Sequence, residues 1–120
     1  MNDTHDPECA VDFARLREVT GDDEQLQRDI TDQYLAQAEQ ILVEIEAAIE
    51  DEDQVRVSQL AHKLAGSSAM CGMEAILASL ESLESLQPYV NSEALELLRT
   101  ATQQLERIRH TLNQPTSPQN

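Results

Sequence analysis

Of the three histidines in this 120-residue chain, His62 is the one whose neighbours point to a use for its ring. It lies in the stretch Leu60-Ala61-His62-Lys63-Leu64-Ala65-Gly66-Ser67-Ser68-Ala69-Met70-Cys71-Gly72. A solvent-facing imidazole, with an unperturbed pKa of about 6.5, is mostly the neutral nucleophilic form at neutral pH. Projected at about 100° per residue with His62 at zero, Val55, Ser58, Gln59, Ala65, Gly66 and Ala69 fall within about 60° of it. Leu60, Leu64 and Cys71 fall within about 20° of the opposite pole. The ring is therefore predicted to point away from the core, over a surface of small side chains. Gly66, one turn later, costs about 1 kcal/mol of helix stability relative to alanine and removes the side chain that would shield one edge of the ring. Lys63 and Arg56 lie about 100° and 120° round the helix, within reach of an anion held on the imidazole. A lone exposed histidine is more often inert, a lone glycine can mark close helix packing, and Ser67 and Ser68 can simply bond back one turn. The combination instead fits a group handed to the ring by another macromolecule.

The elements that must carry this stretch follow from apolar residues recurring three and four apart. A short opening helix over about 11–19 puts Val11, Ala14 and Leu16 near one side, before Gly21 interrupts. Asp22 or Asp23 can then cap a long helix with the inward stripe Leu26, Ile30, Tyr34, Ala38, Ile41, Ile45, Ala48 and Ile49. The acidic break Glu50 to Asp53 offers carboxylates to a new helix N-terminus. That helix runs to about Met70 or Cys71, and Gly72 can take the left-handed conformation just past its end. Glu74 to Leu86 is predicted to form a further helix, stopped by Pro88. Asn91 or Ser92 should cap the last one, whose Leu95, Leu98, Ala101, Leu105, Ile108 and Leu112 continue to about Asn113. The predicted fold is all-α, an antiparallel up-down-up-down four-helix bundle with a short extra N-terminal helix. Residues 1–10 and 114–120 are expected to be a disordered leader and tail around a bundle at 11–113.

Composition narrows the function. With 40% apolar residues but only Phe13, Tyr34 and Tyr89 as aromatics, the core must be aliphatic, and three glycines leave too few turns for a sandwich or barrel. Twenty-three acidic against eight basic residues give a net charge of -15, which argues against nucleic acid and anionic membranes as partners. No run approaches the roughly 18 apolar residues of a membrane span, and the first residues do not read as a signal peptide, so a cytoplasmic location is expected. His5, His62 and His110 do not combine with Cys9 or Cys71 at zinc-site spacings, so no metal is expected; Cys71, facing inward, reads as an inert thiol. Glu81, Glu84, Glu93 and Glu96 read as solvated helix faces.

Taken together, the stretch around His62 resembles the histidine-containing phosphotransfer (HPt) domain of bacterial multistep phosphorelays. The family pattern runs approximately Ala-His-x-Leu-Lys-Gly-Ser-x-x-x-x-Gly, and Ala61, His62, Leu64, Gly66, Ser67 and Gly72 fit it without a gap. Asp12-Phe13-Ala14-Arg15-Leu16 resembles the family's opening helix, Asp23 and the helix through Tyr34-Leu35 its long first helix, and Asp53 its acidic residue nine before the histidine. Leu80-Glu81-Ser82-Leu83-Glu84 resembles its third helix. One departure stands out: the family's lysine three after the histidine is Ala65 here, with Lys63 directly after the histidine instead.

The resemblance implies a phosphocarrier in two-component signalling. His62 would accept a phosphoryl group through Nε2 from a receiver-domain phospho-aspartate and pass it to another receiver aspartate. Lys63, Arg56 and Gln59 would stabilise the phosphate, and Gly66 would keep the ring accessible. Val55, Ser58, Gln59, Ala65, Gly66 and Ala69 would meet the receiver, with Tyr34 packed nearby. The partners implied are response-regulator receivers and a hybrid sensor histidine kinase, with the receiver supplying Mg²⁺ and this chain binding no cofactor. There is no Gly-rich phosphate loop, so no ATP site and no independent kinase activity are expected. A monomer is expected. The alternative is a helical bundle that only binds or dimerises.

Overall fold

Three aspartates start three helices. Asp12, Asp23 and Asp53 each hold an extended or near-extended backbone and accept a hydrogen bond from the N–H three residues on, at Arg15, Leu26 and Arg56. Each thereby satisfies one of the orphan donors of a helix N-terminus, worth about 1 kcal/mol. The computed structural model describes residues 10–113, and the expected leader and tail lie outside it apart from Ala10. Ala10 is itself buried, and its carbonyl accepts from the Ala75 N–H at 3.1 Å.

The helices are α1 (Phe13–Thr20), α2 (Glu24–Glu50), α3 (Gln54–Cys71), α4 (Leu77–Glu84) and α5 (Asn91–Asn113), with a 3₁₀ turn at Glu74–Ile76 ahead of α4. There is no strand among the described residues. α2 borders α3, α3 borders α4, α4 borders α5 and α5 borders α2, closing a ring of four, while α1 packs on α2 and α3. Tyr34, Ile41, Ile45 and Ile49 from α2, Val57, Leu60 and Leu64 from α3, Leu80 and Leu83 from α4, and Leu98, Leu105 and Ile108 from α5 fill the interior.

Some inward assignments fail at the helix ends. Leu26 is 41% and Leu95 40% exposed, and Ala14 is exposed as well. Leu26 belongs to the first turn of α2, whereas Leu95 follows the fully buried Ala94 and stands about 100° round α5 from it, off the stripe Ala94, Leu98, Ala101, Leu105 and Ile108. The expected 74–86 helix begins as a 3₁₀ turn and stops at Glu84. Pro88 accounts for the stop: it has no N–H to give the carbonyl of Glu84 four residues earlier. At the start of α5 the first backbone bond runs from Ala94 to the carbonyl of Val90. The Asn91 side chain accepts from the Tyr89 hydroxyl at 2.8 Å instead of capping a backbone N–H.

Gly72 ends α3 with φ +80°, and the bonds from Gly72 to Ala69 and from Met73 to Ser68 make a Schellman cap. Its carbonyl also accepts from the Asp12 N–H at 2.7 Å, so the end of α3 carries the start of α1. A Cβ there would lie 2.5 Å from the Asp12 carbonyl oxygen and 3.2 Å from Arg15 Cβ. Left-handed strain and overpacking then add, so Gly72→Ala should lower unfolding free energy by about 2–4 kcal/mol. Urea titration would check this; a loss under about 1 kcal/mol would show that α1 yields freely.

Candidate functional site

α3 is rolled so that Val57, Leu60, Ala61, Leu64 and Ser68 are buried, which leaves His62 on the outside with its side chain 75% exposed. Gly66, one turn on, is exposed, and a Cβ placed there would meet no atom within 4 Å. Helix packing is thus not the reason for this glycine, and the space it leaves opens outward beside the ring.

Among the described residues His62 has one side-chain partner: its Nδ1 lies 2.8 Å from Glu84 Oε2. An ionised carboxylate can only accept, so a neutral ring making this bond carries its hydrogen on Nδ1 and keeps the lone pair on Nε2. The partner comes from the end of α4, among the acidic residues that periodicity assigns to solvated faces. A signal for it exists in the numbering: residues 62 and 84 are equidistant from Met73, so a helical hairpin turning at Gly72-Met73 brings them level. Ser58, one turn before His62, donates its hydroxyl to the Glu84 carbonyl at 2.9 Å.

The remaining expected site residues divide. Val55, Ser58 and Gln59 line a groove of about 250 Å³ against Leu83, Leu86 and Tyr89, beside the ring. Val55 is 65% exposed at its edge, and Ala69 is exposed on the same face. Gln59 makes no hydrogen bond to His62; Glu84 takes that place. Lys63 is exposed and makes no ion pair among the described residues. Arg56 is drawn to α2, with Nη2 3.5 Å from Glu44 Oε1.

Two assignments are corrected. Ala65, expected on the docking face, is 9% exposed, because it sits at the edge of the outward arc where α3 meets its neighbours. Tyr34, expected near a partner, is 3% exposed, and its hydroxyl is 2.7 Å from Ser68 Oγ, itself fully buried. This bond ties α2 to α3 inside the bundle, so Tyr34 is part of the interior that holds the histidine helix.

Burial pushes the Tyr34 phenol up to about 12, with the Ser68 hydrogen bond opposing in part. Because the folded state favours the neutral phenol, the unfolded chain loses its proton first as pH rises past about 10. The contribution to stability is therefore complete below pH 10 and is lost by about pH 12. Stability should fall across that window by on the order of 2 kcal/mol. Tyr34→Phe should flatten most of the slope in pH-dependent melts, leaving the part due to Tyr89 and Cys71, both also raised by burial. An unchanged slope would mean that Tyr34 is accessible. Cys71 is half-buried, and its raised pKa makes the thiolate scarce. Among the described residues no group of His, Cys, Asp and Glu could hold a metal, and no helix is long and apolar enough to cross a membrane.

With this geometry in hand, the comparison that decides the family is a match of the Hpt domain model to residues 29–113, most of α2 and all of α3, α4 and α5. The chain belongs to the Hpt domain family. Comparison with curated proteins gave no match. Membership of the Hpt domain family carries phosphotransfer in two-component signalling, with receiver domains and kinases as the class of partner. In this Hpt domain α1 lies outside the matched segment, yet it is capped by Asp12 and joined to the end of α3 through Gly72.

Proposed function

We propose that this Hpt domain is a phosphocarrier whose acceptor is His62: it takes a phosphoryl group from a receiver phospho-aspartate and returns it to another receiver aspartate. The observation that carries this reading is a 75% exposed imidazole beside a glycine whose missing side chain serves no packing need. Nε2 is the attacking atom, since Nδ1 is already bonded to Glu84. The scaffold assigned is the antiparallel up-down-up-down bundle, in line with the short links between successive helices.

Transfer requires attacker, phosphorus and leaving oxygen roughly in line, with charge stabilised around the moving group. On this side of the interface a firmly packed helix fixes the ring, and the exposed Lys63 ammonium can meet the phosphoryl oxygens. Arg56 can join it, because an ion pair as exposed as that with Glu44 is worth at most about 1 kcal/mol. The receiver supplies its own Mg²⁺ and acidic groups. It docks over Val55, Ser58, Gln59, Gly66 and Ala69, a surface of short side chains suited to a brief and modest contact. A chain of net charge -15 gains nothing from long-range attraction to an acidic receiver, so recognition is local to this patch. The cytoplasm is the compartment assigned, where receivers carry phospho-aspartate.

The test is to incubate the chain with each cognate receiver in its phosphorylated form and to map the phosphate by mass spectrometry under alkaline conditions. An acid-labile, alkali-stable phosphate on His62 is expected. Failure with every receiver would leave a helical module that only binds.

A further inference from the structure

Val55 stands seven residues before His62, two turns down the same face of α3 and about 10 Å along its axis. It is 65% exposed at the edge of the groove of about 250 Å³ that α3 forms with the end of α4 and the link to α5. Buried Leu83 and half-buried Leu86 and Tyr89 face it from the other elements. The Tyr89 hydroxyl donates to Asn91 Oδ1 at 2.8 Å, so that wall is set before anything docks.

Charge singles the groove out. The chain carries 23 acidic residues, yet among the described residues Glu84 is the one charged group in the lining. The rim is otherwise Ser58 and the uncharged amides of Gln54, Gln59 and Gln87. An acidic receiver therefore meets little like charge here, while a charged side chain entering the groove would lose hydration without an ion to pair with. The volume is below the roughly 300–1,000 Å³ of a small-molecule pocket and suits a single side chain. A modest interface covers about 800 Å² per partner, a disc of radius roughly 16 Å, so a receiver centred on His62 also covers Val55.

We infer that this groove is the partner-selecting subsite of the docking face: it takes one large aliphatic side chain from the receiver, and Val55 at its edge determines which receivers are served. This rests on the phosphocarrier reading above. The contact is the same before and during transfer, so it governs how tightly a receiver docks and not the rate inside the docked complex. Selection follows from fit, since one methylene more or less in an apolar pocket is worth about 10–200-fold.

The experiment uses the full chain, its cognate receivers and the variants Val55→Ala, Val55→Glu and, as a control, Val43→Glu. Val43 is 61% exposed but lies on α2, one turn from the Glu39 that pairs with Arg109 of α5. Calorimetry at low and high salt reads receiver affinity, and single-turnover transfer at rising receiver concentration separates docking from chemistry. Val55→Ala should weaken docking by about tenfold, equally at either salt because no charge is involved, and should change the rank order among receivers. Val55→Glu should weaken it by about a hundredfold with the rate at saturation unchanged. Val43→Glu should match the wild type. Wild-type affinity in both Val55 variants, or an equal loss in Val43→Glu, would overturn the inference while leaving the carrier role intact. Tighter docking by Val55→Glu would overturn it as well, since a basic group would then fill the groove, and so would a loss confined to the saturated rate. If the wild type takes phosphate from no receiver, the carrier reading falls; calorimetry then judges the groove alone, and absence of receiver binding by the wild type would sink that too.

Discussion

Replacing His62 with glutamine is expected to abolish phosphate uptake from every receiver that serves the wild type, with the fold unaffected. The amide of glutamine offers no nitrogen lone pair for attack on phosphorus, so the loss should be complete. Structurally the change is mild. A side chain that is 75% exposed contributes little buried area, glutamine is at least as good a helix former as histidine, and the pair with Glu84 is of the exposed kind worth at most about 1 kcal/mol. Helicity and melting temperature should stay near wild type, within the roughly 0.5 kcal/mol usual for surface substitutions. Circular dichroism alongside a transfer assay checks both halves. Persistent uptake would move the acceptor to another residue, for which exposed His110 on α5 is the other described histidine.

Gly66→Leu should separate stability from function in opposite directions. A glycine inside a helix costs about 1 kcal/mol against alanine, and leucine is close to alanine on the same scale. Because a Cβ at Gly66 meets open space, the substitution recovers most of that cost without a clash. For a domain of this size that is a rise in melting temperature of about 4–8 °C. The new side chain, however, occupies the edge of the ring that a receiver must approach in line. Displacing the reacting atoms by about an ångström costs on the order of a hundredfold in rate, so transfer should slow by about that factor. Calorimetry and transfer kinetics on the same preparation give the answer. Transfer at the wild-type rate would show that approach to the imidazole is not governed at Gly66.

These expectations derive largely from features legible in the sequence. The outward direction of His62 follows from turning Leu60 and Leu64 inward at about 100° per residue, and both are buried. Asp23, Asp53 and Gly72 announce helix boundaries through side-chain and backbone chemistry that acts within four residues. What escapes is whatever depends on a second element. Leu26 and Leu95 keep helical spacing with their stripes yet stand 41% and 40% exposed, because which face and which turn a neighbour covers is set by the other helices. Tyr34 has the size and polarity of an interface residue, and only the buried Ser68 hydroxyl across from it reveals an interior tie. Glu84 is indistinguishable from Glu81 or Glu93 by periodicity, and it acquires a role only because the hairpin levels it with His62 while Pro88 frees its carbonyl.

The ring of helices has one further consequence. α5 borders α2 and α4 and has no boundary with α3, so its 23 residues, about 34 Å of helix, lie diagonally opposite the histidine strip. Its hold on the bundle, through Leu98, Leu105, Ile108 and the Arg109–Glu39 ion pair, bears on stability from the side of the bundle away from His62. Substitutions on the outer face of α5, or a neighbour fused to it, would therefore leave the surroundings of His62 on α3 unaltered.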